Sequence, residues 1–379
     1  MQAKVIFHII PKLTNGGAEN VLLRIVKEFD LHSNKQIVIT TKGADSDFNS
    51  KSVKKYCEVV HYKETPKEVR KVFKEHPEAK ILAWMYGAIY FAHLWKIKFN
   101  TTNSIIWNIR HSNFGANQWY QKIMVHFFGI ASNVLKNKII YCSYKSKEVH
   151  EKAFFKKQGS IVIVNRLAKT PLAKDLSKSI ENKKPYFLFV GRFNPQKGPE
   201  NLRTISQKII ENNSNIEIWI AGTGWDLNYF PKNIQPNIKL LGPREDVYAL
   251  YTNAVGYLFT STFGEGYPNV LAEASATGLP IIAFDAGDSR RILEEYDYGF
   301  LVYNNQQFAE KALWVLQNPI TKETRSKSSR KQIKQLDFCF PKTIISGLLS
   351  FICFPISFFK FPNEILCEIF IFSSLQRVA

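Results

Sequence analysis

Short runs of β-branched and aromatic residues alternate with longer stretches of helical period through most of the chain. In the first half the apolar runs are VIFHII, IVIT, ILAWM, SIIWNI, IIYCS and IVIV. Amphipathic segments lie between them, among them Glu19–Phe29, Glu68–Glu75 and Gln118–Leu135. Runs apolar on both faces and separated by helices predict a parallel sheet covered above and below. The second half repeats the rhythm with YFLFV, IEIWI, IKLL, GYLFT and PIIAF. Between the halves, Ala168–Pro185 is rich in Lys, Ser and Pro and reads as a linker. The pattern predicts an α/β protein of two doubly wound, Rossmann-like domains, 1–167 and 186–337, joined by 168–185 and facing a central cleft.

The end of the chain breaks the rhythm. Residues 338–379 turn to Phe, Ile, Cys and Ser, and Thr343–Phe359 carries no charge over 17 residues. A spanning helix needs about 20. The expectation is an atypical apolar tail that lies on a membrane or is unrelated to the fold, rather than a transmembrane span. At the other end Val5–Ile10 is short and interrupted by His8, so no signal peptide is expected.

Composition narrows the function classes. Five cysteines without a C-x-x-C argue against a disulfide framework or a zinc site and predict a reduced, cytoplasmic setting. A net charge of +19 suits nucleic acid, an anionic membrane or a phosphorylated substrate. The lysines spread along both halves and no recognised nucleic-acid module is present, so no nucleic-acid partner is expected. Lys54, Lys55, Lys71, Lys74, Lys122 and Lys138 are the residues expected to meet an anionic membrane.

Ligands of open α/β sheets bind beyond the carboxyl ends of the strands, where helix N-termini offer free N–H groups. Four loops fit. In PKLTNGGAEN, Gly16 and Gly17 let the backbone approach a ligand, although an ordinary turn explains them equally well. Neither this loop nor AGTGWD completes a dinucleotide G-x-G-x-x-G. In GRFNPQKGPENL, Arg192 and Lys197 flank a turn before a helix and suit a diphosphate clamp, with a solvated basic loop as the alternative. In GEGYPNVLAE, Glu265 precedes a helix and Glu273 sits within it, with Gly266, Asn269 and Val270 offering backbone N–H groups. Helix capping alone accounts for Glu265 but not for the whole stretch. In NIRHSNF, His111 follows a strand and is expected to face the second domain, with a structural role as the alternative. Asp45–Ser46–Asp47 imitates a metal-binding D-x-D but sits in a polar loop, so no metal or cofactor is expected.

Together these motifs resemble the retaining GT-B glycosyltransferases of family 4, the group that includes enzymes building bacterial surface polysaccharides. The E-x7-E stretch, the A-x-A-x-G-x-P-I-I-A that follows and the G-R-x-x-x-x-K-G loop carry the likeness, which covers roughly residues 4–320. It implies a hexosyltransferase that moves a sugar from a nucleotide-sugar donor, taken as a UDP-sugar, to a glycan or lipid-linked acceptor. This would occur without a metal and at the inner face of the cytoplasmic membrane. Glu273 would bind the ribose, Glu265 the donor sugar, Arg192 and Lys197 the departing diphosphate, and His111 the sugar as charge develops. Gly16–Gly17 would cover the diphosphate, and the loop around Pro243 and Arg244 would stack on the base. Two departures stand out: Arg166-Leu167 replaces the family's Gly-[Ile/Val]-Asp, and nothing after Asp337 resembles its closing helix. A catalytically silent binding protein of the same fold is the alternative.

Overall fold

A computed structural model describes residues 5–339, apart from 15, 31–34, 44–47, 113–118, 136, 166–183 and 295. The linker as far as 183, Arg166-Leu167, the Asp45–Asp47 triplet and the tail beyond 339 therefore lie outside the described residues.

The first sheet contains β1 (Ile6–Ile10), β2 (Gln36–Thr40), β3 (Glu58–His61), β4 (Lys80–Trp84), β5 (Ser104–Ile109), β6 (Lys138–Tyr141) and β7 (Ser160–Val162). Its order is β3-β2-β1-β4-β5-β6-β7, with every pairing parallel. The second sheet contains β8 (Tyr186–Val190), β9 (Glu217–Ala221), β10 (Ile238–Gly242), β11 (Gly256–Phe259), β12 (Ile281–Phe284) and β13 (Gly299–Val302). It runs β10-β9-β8-β11-β12-β13, also parallel. In each, the chain moves outward from the first strand and then returns to that strand's other side. The reversals fall between β1 and β4 and between β8 and β11, and a crevice opens where the order reverses.

Helices cover both faces, which is why β1 and β2 are buried along their whole length. On one face of the first sheet, α1 (Gly17–Asp30) packs Val21, Leu22, Ile25 and Val26 against Ile6, Val38, Leu82 and Ile106. On the other lie α3 (Pro66–Glu75), α4 (Met85–Phe99) and α5 (Trp119–Leu135), packed on Phe7, Ile39, Ala83 and Trp107. The short α2 (Phe48–Val53) and α6 (Tyr144–Lys152) complete this half. The second sheet carries α7 (Pro199–Asn212), α8 (Val247–Asn253), α9 (Asn269–Ser275), α10 (Ser289–Leu293), α11 (Asn305–Gln317) and α12 (Lys322–Cys339). Each Val, Leu, Ile or Phe buried in these layers contributes about 1.5–3 kcal/mol relative to exposure.

The pattern of apolar runs anticipated the central strands and the edge strands β7 and β10, but not β3 or β13. β3 and β13 are four-residue edge strands, partly exposed, with β3 bounded by Glu58 and His61 and β13 opened by Gly299. ILAWM is not strand throughout: β4 stops at Trp84, and Met85 turns straight into α4 with φ +70°. That left-handed backbone is costly for a side chain other than glycine and lies at the carboxyl end of a switch-point strand.

Candidate active site

The loops leaving β8 and β11 meet at the second sheet's reversal. After β8, Pro195–Lys197 form one 3-10 turn that Asn194 caps by accepting a hydrogen bond from the Gln196 amide. Gly198 ends the turn with φ +64°, and a Cβ there would collide with the Thr260 carbonyl oxygen. Only glycine lets this loop lie against the end of β11. Thr260 Oγ1 then donates to Lys197 O at 2.8 Å and fixes the lysine's backbone.

Lys197 thereby reaches the first acid of the E-x7-E stretch. Its Nζ lies 2.7 Å from Glu265 Oε1, which also accepts from Ser261 Oγ at 2.9 Å. The carboxylate is 6% exposed. A charge withdrawn from water this far needs a partner, and the ammonium supplies it. Arg192, on the same loop, is exposed and makes no ion pair with a described residue. One fixed cation and one available cation therefore stand at the mouth of the crevice.

Glu273 lies on α9, eight residues after Glu265, and is half-buried. Burial pushes its carboxyl up to about 7, opposed by Arg24 on α1 and by a hydrogen bond from Tyr251. Arg24 belongs to the first half, so the second acid faces across the cleft. Asn269 Oδ1, at the start of α9, accepts from Asn165 Nδ2 at 2.9 Å, and Asn165 Oδ1 accepts from Arg110. Val270 follows, half-buried.

The halves touch at several points. Ser112 Oγ donates to the Glu265 carbonyl oxygen. Gly266 packs against Cys142 and the Arg110 carbonyl so closely that a Cβ would clash. Asp288, 4% exposed after β12, accepts from the amides of Tyr144 and Lys145 at 3.0 and 2.8 Å. It thus caps α6 from the opposite domain, where a negative charge at a helix N-terminus is favoured. Arg291 stacks on Tyr144 at 3.8 Å beside it.

His111 differs from expectation. It sits at the end of β5 next to Ser112, but its ring contacts are with Tyr86 and His150 of its own domain, at 5.2 and 5.3 Å between centroids. Burial, then His150, lower its pKa to about 3, so the imidazole is neutral near neutral pH. Its neighbour Ser112 makes the contact across the cleft. Arg244 is exposed, with both its forks on Asp246, at 2.8 and 2.6 Å. Gly16 is closed over by the Glu19 carboxylate, whereas the space above Gly17 is open. Loop reading did not single out Arg24, Ser112, Ser261 or Asp288. The last three carried a signal, since each follows a strand, whereas Arg24 lies inside α1. Among the described residues no three His, Cys, Asp or Glu side chains cluster as metal ligands would.

With this geometry in place, comparison with known proteins is informative. Residues 173–334 match the family model for glycosyl transferases group 1. The group 1 segment contains the whole Arg192–Lys197–Glu265–Glu273 constellation. Spore coat protein SA of Bacillus subtilis (strain 168) is 29% identical over 166 residues, covering 39% of this chain and 44% of that protein. Phosphatidyl-myo-inositol mannosyltransferase of Mycobacterium leprae (strain TN) is 27% identical over 158 residues, covering 40% of this chain and 42% of that one. The chain thus spans less than half the length of these curated relatives. The fold as a whole is that of Anabaena HepE, solved with UDP: TM-score 0.70, 18% identity, 92% of this chain and 100% of that one. The two facing Rossmann-like sheets are therefore the GT-B fold.

Two outcomes follow from the site. Asp288→Ala removes two hydrogen bonds to a charged acceptor and should cost closure about 2 kcal/mol or more. Small-angle scattering should show a larger radius of gyration with helix content intact, and an unchanged curve would contradict the latch. Glu273 holds its proton more tightly folded than unfolded. The stability this confers is complete below about pH 4.5 and is lost as pH rises through about 7. Glu273→Gln should therefore flatten the fall in Tm between roughly pH 5 and pH 8. A slope identical to the wild type would contradict the burial of that carboxyl.

Proposed function

We propose that the chain is a retaining GT-B glycosyltransferase of family 4. It moves a hexosyl group from a nucleotide-sugar donor, most simply a UDP-sugar, to a glycan acceptor. The observation that carries this reading is the Lys197–Glu265 pair, 2.7 Å apart at the carboxyl ends of β8 and β11, with Arg192 beside it. A sugar leaving a diphosphate needs its departing charge met by fixed cations, and preorganised donors do this without a metal. Arg192 and Lys197 take that role, with Lys197 partly released from Glu265 as the sugar's hydroxyls come to the carboxylate. Glu273, ionised above about pH 7, accepts from the ribose hydroxyls. The Gly16–Gly17 loop, the amides after Gly266 and the segment around Arg244 complete the donor site. Closure through Ser112 and Asp288 excludes water, which limits hydrolysis of the donor.

The acceptor is proposed to be lipid-linked, in cell-surface polysaccharide or lipopolysaccharide synthesis, with the protein held at the inner face of the cytoplasmic membrane. A relative named phosphatidyl-myo-inositol mannosyltransferase supports this, as does the +19 charge. Among the described residues no helix is long and apolar enough to cross a membrane.

The test is incubation of purified protein with a panel of nucleotide sugars, following transfer and hydrolysis. Glu265→Ala should abolish both. Arg192→Ala or Lys197→Ala should cut turnover about 10²–10³-fold. Robust DNA binding with no donor binding would overturn the reading.

A further inference from the structure

The helical layer formed by α3, α4 and α5 presents an outer face unlike the rest of the surface. The inner side of α5 buries Val125 and Phe128 on the first sheet. Its outer side carries Ile123, Phe127, Ile130 and Val134, all 59–74% exposed. Their spacing of four, three and four places them in one stripe. On α4 the outward positions are Tyr90, Leu94 and Ile97, the last 80% exposed. The inner and outer faces of both helices are thus apolar. A helix apolar all round is normally enclosed, and an apolar patch left in water marks a docking surface.

The charge around this patch is predominantly basic. Between Glu78 and Glu148 the chain contains nine Lys or Arg and no Asp or Glu. Lys98 on α4 and Lys122 on α5 are exposed beside the stripes. Next to α4, against which its Phe73 packs on Trp95 and Phe99, α3 turns Lys67, Arg70, Lys71 and Lys74 outward. The same helix also exposes Glu68 and Glu75, the latter 3.8 Å from Lys71. An apolar centre with a cationic rim is what an anionic bilayer surface accepts. The apolar side chains enter the acyl boundary while the lysines and arginine meet the phosphates.

We propose that the outer face of α3, α4 and α5 is the surface by which this protein docks on an anionic lipid bilayer, with the α5 stripe inserted. Of the lysines singled out from the sequence, Lys71, Lys74 and Lys122 lie on this face, whereas Lys54 and Lys55 follow α2 elsewhere. The inference takes from the proposed function only the membrane as partner. Sugar transfer plays no part in its test.

The experiment is co-sedimentation of the full chain with phosphatidylcholine vesicles, with and without phosphatidylglycerol. Wild type should bind the anionic vesicles and not the neutral ones. Phe127→Asp combined with Ile130→Asp, both exposed and so compatible with folding, should lower the partition coefficient about tenfold or more. Lys67→Glu with Lys74→Glu should do the same, and Tyr303→Asp, an exposed aromatic of the second domain, should not. UDP binding by calorimetry should be equal in all variants. Patch-dependent vesicle binding without any UDP binding would sustain the docking face and sink the donor reading alone. The proposal is overturned if wild type ignores anionic vesicles. It is equally overturned if the Phe127 and Ile130 variant binds them normally, as it would were residues 338–379 the anchor. A wild-type dimer that Phe127→Asp dissociates on size exclusion would reassign the face to a contact between copies.

Discussion

The buried carboxylate of Glu265 constrains everything around it. A charge only 6% exposed is tolerated because Lys197 and Ser261 reach it, and Lys197 reaches it because Gly198 and Thr260 fold one loop onto another. Removing a partner from such a pair leaves an uncompensated charge, so the loop geometry and the electrostatics stand or fall together. The fold supplies the place for this. Two adjacent parallel strands, β8 and β11, end where the sheet order reverses, and their loops pack against each other there.

The same carboxyl-end logic joins the two halves. Backbone and side chain of Glu265 work in opposite directions: the carboxylate turns to Lys197 in its own domain, while the carbonyl takes a hydrogen bond from Ser112 in the other. Asp288 reaches from the end of β12 to the N-terminus of α6, and Asn165 links Arg110 to Asn269. Closure and site assembly are thus one event. The second acid responds to it as well, since Arg24 of α1 is one of the groups that opposes the burial of Glu273.

Much of this was legible from residue order. Strands buried on both faces announce themselves as continuous apolar runs, so β1, β5, β8 and β12 were readable. β3 and β13 lie at sheet edges, half in water, and their apolar cores are only two and three residues long. The Arg192–Lys197 and Glu265–Glu273 loops were readable because each follows a strand and mixes glycine with charge. What could not be read was direction. Nothing local tells that the ring of His111 packs beside Tyr86 and His150 while Ser112 faces out, or that Arg24, in the middle of an amphipathic helix, ends near Glu273. Arg244 lies in the loop expected to stack on the base, yet Asp246 two residues later holds its guanidinium. The apolar outer faces of α4 and α5 were hidden for a related reason: exposed and buried isoleucines look alike until the helix is packed.

The most direct measurement is a crystal structure with UDP bound. The account predicts diphosphate oxygens within about 2.7–3.2 Å of Lys197 Nζ and the Arg192 guanidinium, with the ribose hydroxyls on Glu273. UDP bound away from the β8–β11 crevice, with the Lys197–Glu265 pair left in contact only with itself, would contradict it.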